Sequence, residues 1–271
     1  MDIKQQNISI FKDTLNRISK SAILRKSVES SIEKQRFYGE HDIVGSETVY
    51  DHDATVTISA RSSFDAARAY GGKVCVLNFA SATNPGGGVE RGSSAQEECL
   101  CRCSTLFECL CDQKMMNAFY KPHRDHLGPL HNDDIIYTPD VFVIKSDSYT
   151  NLYQPKKLDV ITCAAPNLRE RPSNAYNTEN STAVKVSDTE LYNIHRKRIH
   201  RIMTVANAHG AETLILGAFG CGAFRNNPEV VAKAMFDEVN AYGKTHFVNI
   251  EFAIFSRNDT VNIDAFKKVF G

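Results

Sequence analysis

Asn84-Pro-Gly-Gly-Gly-Val-Glu-Arg-Gly-Ser-Ser-Ala-Gln-Glu-Glu98 joins two runs of opposite character. Before it, Lys73-Val-Cys-Val-Leu-Asn-Phe-Ala80 is almost continuously apolar, the pattern of a central strand buried on both faces. After it, Gln96 to about Asp112 reads as a helix. The stretch is therefore a strand-to-helix connection with three consecutive glycines. Glycine loses more conformational freedom on folding than any other residue, so three in a row point to positive φ or to close backbone approach. A phosphate or sugar held by exposed N–H groups is one object of such an approach, and an ordinary tight turn is the alternative. Glu97 and Glu98 fall in the first helical turn, where glutamate commonly complements the dipole or completes a capping box. Two adjacent carboxylates also repel, so one can stay protonated as a general acid while the other accepts hydrogen bonds.

A second unit of the same kind follows. Thr213-Leu-Ile-Leu216 reads as a buried strand and runs into Gly217-Ala-Phe-Gly-Cys-Gly-Ala-Phe-Arg225. Asn227-Pro228 then opens a helix extending to about Gly243, with Asn as N-cap and Pro at the first helical position. Two strand–glycine loop–helix units on neighbouring strands suggest a cleft gripping a diphosphate between them.

Gly86-Gly87-Gly88, seven residues, then Gln96-Glu97-Glu98 resembles the signature of poly(ADP-ribose) glycohydrolases. The flanks Leu77-Asn-Phe-Ala-Ser-Ala82 and Glu98-Cys-Leu-Cys-Arg102 are similar to the microbial branch of that family, which has a macrodomain fold. Tyr137-Thr-Pro-Asp-Val141, Val160-Ile-Thr-Cys-Ala-Ala-Pro-Asn167 and Leu214 to Phe224 extend the likeness, which covers roughly Val49 to Phe255. The resemblance implies hydrolysis of the ribose–ribose O-glycosidic bond of poly(ADP-ribose), releasing ADP-ribose without metal or cofactor. It makes Glu98 the acid and then the base, and has Glu97 hold the hydroxyls of the ribose being cleaved. Gly86, Gly87 and Gly88 would wrap the diphosphate from one side, and Gly220, Cys221, Gly222 and Ala223 from the other. Gln96 joins the substrate-binding set.

Phe224 matches an aromatic that orders the terminal ribose, with a core anchor as its alternative role. Asn84 is a ribose contact or simply a turn initiator before Pro85. Two departures stand out: Ala223 occupies a position where the family pattern calls for a larger aliphatic residue, and Val89-Glu-Arg-Gly92 is unusually charged. Exo cleavage is the family expectation, and Ala223 bears directly on it.

The 271 residues contain 32 basic and 32 acidic side chains, a balance that argues against a general nucleic-acid-binding surface. A polyanionic substrate would have to be gripped locally. There is no run of about 18 apolar residues and no basic-then-apolar leader, so a cytoplasmic monomer with no membrane partner is expected. Of the eight cysteines, Cys99, Cys101, Cys103, Cys109 and Cys111 crowd together. Residues two apart on a helix point about 200° away from each other, which suits reduced, mostly buried thiols better than a disulfide ladder or metal cage.

Strands and helices alternate, and a three-layer α/β/α sandwich with a mixed central sheet is expected. Residues 1–40 form an N-terminal helical extension packed on a macrodomain-like catalytic domain, 41–271. Ile8 to Phe37 has helical spacing for one or two helices, and Ala54 to Ile58 alternates like a strand. Ser62 or Ser63 caps a short helix. Lys121 to His131 reads as a broken loop whose His123, Asp125, His126 and His131 match no standard zinc pattern. Val141 to Ile144 and Leu158 to Thr162 are further strands, and Asn167 to Thr189 is a long polar loop placed as a flap. Leu191 to Asn207 is a helix whose apolar residues fill an arc of about 140°. Arg196, Lys197 and His200 lie outside that arc as a solvated face, whereas His195 and Arg198 fall inside it, unexplained by amphipathicity. Phe247 to Ser256 is a closing strand and Val261 to Phe270 a terminal helix. A mono-ADP-ribosyl hydrolase and a non-catalytic ADP-ribose-binding module are the rival readings; the adjacent carboxylates argue against the second.

Overall fold

The computed structural model describes residues 2–45, 48–125, 128–172, 183–256 and 259–271. Its strands are β1 (Arg36–Tyr38), β2 (Thr55–Ser59), β3 (Val74–Phe79), β4 (Ile135–Lys145), β5 (Asn151–Cys163), β6 (Thr213–Leu216) and β7 (Asn249–Ala253). They form one sheet in the order β1-β4-β5-β3-β6-β7-β2. β3 is central and pairs in parallel with β5 and with β6. The two strands that lead into glycine loops are thus neighbours. β4 runs antiparallel to β5 and to β1, which makes the sheet mixed.

Period-two alternation sends successive β3 side chains to opposite faces. Cys75 and Leu77 join a core with Ile199, Ile202 and Met235, while Val74 and Val76 join one with Phe64, Leu100 and Phe119. Both faces are covered, and the expected sandwich results. On the first face lie α8 (Asp188–Ala208), α9 (Pro228–Glu238) and α11 (Val261–Phe270); the second is covered by α1 (Ile3–Lys20), α3 (Ser63–Arg68), α4 (Gln96–Cys103) and α5 (Leu106–Leu110). α2 (Ala22–Lys34) packs with α1 against Cys109 and Ile144. Short helices α6 (Gln113–Met115) and α7 (Lys121–Asp125) flank a π-turn, and α10 (Lys244–His246) follows another, Val239–Gly243. No helix of the described residues is long and apolar enough to cross a membrane.

Several boundaries differ from the sequence reading. The helix from Gln96 breaks at Ser104 and Thr105. Ser104 is extended, and Thr105 exchanges two hydrogen bonds with the backbone of Phe142 on β4, at 3.0 Å each. Ser104 Oγ then accepts from the N–H of Leu106 and restarts the helix, a local competition that serine offers well. The N-terminal helical stretch stops at Lys34, and Arg36–Tyr38 become an edge strand instead. Gln35 fixes the change by donating to Thr138 Oγ1 on β4 at 2.7 Å. Lys121–Asp125 is helical rather than loop. β7 ends at Ala253 and lies inside the sheet, with β2 at the edge.

The two polar residues inside the apolar arc of α8 are explained by what they reach. Arg198, almost fully buried, donates to Asp133 Oδ1 at 2.9 Å and to the carbonyl of Ala164 at 2.7 Å. His195 meets Asn226, at the foot of the second glycine loop. The outward residues are not simply solvated: Arg196 and His200 both pair with Glu238 of α9, at 2.8 and 2.7 Å.

Candidate active site

β3 delivers the chain to the first glycine loop, and the loop folds back onto α4. Gly86 and Gly87 have φ of +66° and +60°. A Cβ on Gly87 would stand 2.6 Å from Glu98 Oε1 and 3.0 Å from Glu97 Oε2. Gly87 is therefore required by the carboxylates themselves. Gly88 donates its N–H to Glu98 Oε1 at 2.8 Å, Gly86 turns its N–H to Glu97, and the N–H of Gly87 goes to the carbonyl of Asn84 at 2.9 Å. All three amides have protein acceptors. Asn84 closes the turn from the other direction, its side chain donating to the carbonyl of Gly87.

Glu97 and Glu98 are both buried. Glu97 accepts from the N–H of Ser81 at 2.7 Å and from Asn78 Nδ2 at 3.2 Å. Burial, and then the charge of Glu98, push the Glu97 carboxyl well above the usual carboxylate range, against the pull of those donors. The upward push expected for one member of the pair thus falls on Glu97. Glu98 is held only through Oε1; its Oε2 is buried with no partner among the described residues. Gln96 is committed to the scaffold: its Oε1 accepts from the N–H of Phe79 at 2.9 Å, and its Nε2 donates to the carbonyl of Leu77 and to Ser63.

The second loop is built differently. Gly220 has φ +79°, and a Cβ there would stand 2.7 Å from Ala165. Asn226, buried below it, donates through Nδ2 to the carbonyls of Pro166, Gly220 and Phe224. That orientation leaves Oδ1 to accept from His195 Nε2–H at 2.8 Å. Burial lowers His195 to about 4, so the imidazole is neutral and its tautomer set by Asn226. The N–H groups of Gly220, Gly222, Ala223 and Phe224 have no acceptor among the described residues. One loop spends its amides on the carboxylates and on its own turn; the other keeps four available for an anion.

Both loops line one cleft of about 520 Å³. It brings together Gly87, Gln96, Glu97 and Glu98 from the first unit, and Gly220, Gly222, Ala223 and Phe224 from the second. Phe79 and Phe219 form part of the wall, and Phe255, Ser256 and Asp259 extend it beyond β7. Asn84, Gly86, Gly88 and Cys221 lie behind the lining. Burial pushes the Cys221 thiol upward, which keeps it from acting as a nucleophile. Arg169 places its guanidinium 5.7 Å from the Phe224 ring centre. The rest of the expected flap falls largely on 173–182, outside the described residues, as does His126. Among the described residues no group of three or more His, Cys, Asp or Glu is placed to hold a metal ion.

Asn78 and Asn226 were missed by sequence reasoning. Asn78 did leave a signal, as the single polar side chain within Val74–Phe79. Asn226 precedes a stronger N-cap, Asn227, and was masked by it.

A sandwich with buried carboxylates on one glycine loop and an amide cradle on the adjacent one defines a hydrolase site for a diphosphate-bearing sugar. A family model described as microbial-type PARG, catalytic domain, matches residues 6–146, and the chain belongs to that family of poly(ADP-ribose) glycohydrolases. The Thermomonospora curvata poly(ADP-ribose) glycohydrolase is similar at TM-score 0.82 and 26% identity, over 98% of this chain and 100% of that one. Its complex with the inhibitor ADP-HPD gives 0.81 and 27%, over 97% and 99%. The Deinococcus radiodurans enzyme in complex with ADP-ribose gives 0.76 and 26%, over 90% and 96%. No match was found among curated protein sequences.

Proposed function

We propose that this chain hydrolyses the ribose–ribose bond of poly(ADP-ribose), with Glu98 as the acid and then the base. The observation that carries this reading is the state of Glu98: buried in the cleft wall, anchored at Oε1 by Gly88, and unpartnered at Oε2 among the described residues. A carboxyl so held can give its proton to the departing ribose oxygen as the glycosidic bond breaks. It can then take a proton from the water that attacks the oxocarbenium-like carbon. Burial, and then the charge of its neighbour, push the Glu97 carboxyl upward. Glu97 holds the hydroxyls of the ribose being cleaved and so sets the reacting carbon beside Glu98.

The diphosphate is gripped by the N–H groups of Gly220 and Gly222–Phe224, whose partial positive charge offsets its own. Held there, the diphosphate's negative charge helps stabilise the cation. Because the amides of Gly86–Gly88 are already taken, the first loop contributes mainly by shaping Glu97 and Glu98. Phe224, half-buried in the lining, orders the terminal ribose. Cleavage from the polymer end is the reading that family membership favours. Gly222, where an added Cβ would meet nothing within 4 Å, and Ala223 put no bulk at that edge, so product length is measured together with rate. The carboxylates and the amide cradle come from one chain, which supports a monomer as the working unit.

The test is incubation with poly(ADP-ribose) in chelator, following products by chromatography. Monomeric ADP-ribose is expected. Intact polymer together with measurable ADP-ribose binding would favour a mono-ADP-ribosyl hydrolase or a binding module instead.

A further inference from the structure

Asn7, on α1, lies outside the cleft, yet its amide touches the segment that joins the glycine turn to α4. Nδ2 donates to the carbonyl of Gly92 and to Ser94 Oγ, both at 2.9 Å. Between these two residues, the carbonyl of Ser93 accepts from the buried Arg102 at 2.5 Å. Three consecutive residues are thereby fixed, two of them by one side chain.

What they fix is Gly88. Ser93 donates its N–H to the carbonyl of Gly88 at 3.1 Å. A Cβ on Gly88 would stand 2.3 Å from Ser93 Oγ, so the two pack face to face. Gly88 in turn donates to Glu98. α1 also meets the far end of α4, where Thr14 donates to the carbonyl of Arg102 at 2.5 Å. Gly92, with φ +78°, lies against the same helix: a Cβ there would stand 2.4 Å from the carbonyl oxygen of Lys4.

We infer that Asn7 is a positioning residue for catalysis, setting the Gly88–Glu98 contact through Gly92, Ser93 and Ser94. The inference rests on Glu98 acting as acid and base. Plain packing of α1 is already supplied by Phe11 and Ile18, which join two different apolar clusters. Two directed hydrogen bonds from a buried amide add geometry rather than area. The diphosphate cradle belongs to the second loop, on the other side of the cleft, so catalysis and ligand binding should separate.

Asn7→Asp keeps the shape and removes the donor; Asn7→Ala removes both reach and donor. Each is compared with wild type for turnover of poly(ADP-ribose), for ADP-ribose affinity by calorimetry and for Tm. Turnover should fall about tenfold to a hundredfold, the scale of a misplaced catalytic group. KM and ADP-ribose Kd should stay within about twofold. Gly92→Ala, which pushes α1 away without removing a donor, should give the same split if the Asn7 variants fold poorly. Unchanged turnover in Asn7→Asp overturns the inference, as does a loss of ADP-ribose affinity in step with turnover and Tm. Wild type that leaves the polymer intact overturns the functional reading beneath it.

Discussion

Gly88 and Glu98 are joined by a 2.8 Å hydrogen bond from the backbone N–H to Oε1. This bond ties the glycine loop to the carboxylate proposed as the acid and base. A carboxylate accepting from a rigid amide is fixed in both position and rotamer, while its second oxygen stays available for proton transfer. The spacing between Gly86-Gly87-Gly88 and Gln96-Glu97-Glu98 is long enough to make one 3-10 turn, Val89–Arg91, and bring α4 back over the glycines.

Gly87 has no room for a side chain. Gly87→Ala would place a methyl group 2.6 Å from Glu98 Oε1 and force alanine to φ +60°. The backbone conformation alone costs about 1 kcal/mol or more. Turnover should fall at least about tenfold, while ADP-ribose affinity changes little, because the diphosphate is proposed to bind the other loop. Kinetics beside calorimetry would separate the two.

Asn226 should behave in the opposite way. Asn226→Ala removes the donor shared by three carbonyls and leaves His195 without its acceptor. Unsatisfied buried groups of this kind cost about 2–4 kcal/mol together. The loop they support is the amide cradle, so ADP-ribose affinity should drop along with Tm. An affinity equal to wild type would show that the cradle does not depend on this brace.

Two of the buried titrating groups, Glu97 and His195, give stability opposite pH trends. Glu97 is raised in the folded state, so it binds more protons folded than unfolded above the ordinary value of 4.5. Its contribution is fully present below that value and is lost as pH rises through the raised folded one, at up to about 1.4 kcal/mol per pH unit. Glu97→Gln should therefore flatten the decline of Tm above pH 4.5. His195 is lowered from 6.5 to about 4; its contribution is present above 6.5 and lost as pH falls toward 4. Thermal melts of wild type, Glu97→Gln and His195→Gln across this range check both signs.

Arg198→Met tests the polar core under α8. Asp133 would keep Lys197, at 2.7 Å, but lose its buried partner. Breaking such a pair costs about 3–5 kcal/mol, and the remaining lysine places this case near the lower end. Urea titration would measure it.

The sandwich and its two glycine loops were legible because β3 and β6 are short, apolar and bounded by glycine, and because Asn227-Pro228 announces α9. The carboxylate pair was legible for the same local reason. What escaped was long-range. Ser104 and Thr105 break a helix-forming run only because β4 offers them backbone partners, and Arg36–Tyr38 form a strand only because β4 has a free edge. His195 and Arg198 could be seen as misfits in an apolar arc, yet their partners, Asn226 and Asp133, lie 31 and 65 residues away. The tie between Asn7 and Gly92 spans 85 residues and has no local signature at all.

The first measurement is chromatography of poly(ADP-ribose) digests by wild type and Glu98→Gln, with ADP-ribose affinity determined for both. The substitution keeps the size of the side chain and removes its proton chemistry. ADP-ribose released by wild type alone, with affinity preserved in the variant, is the predicted result. Release by Glu98→Gln at the wild-type rate would contradict the assignment of Glu98 as the acid and base.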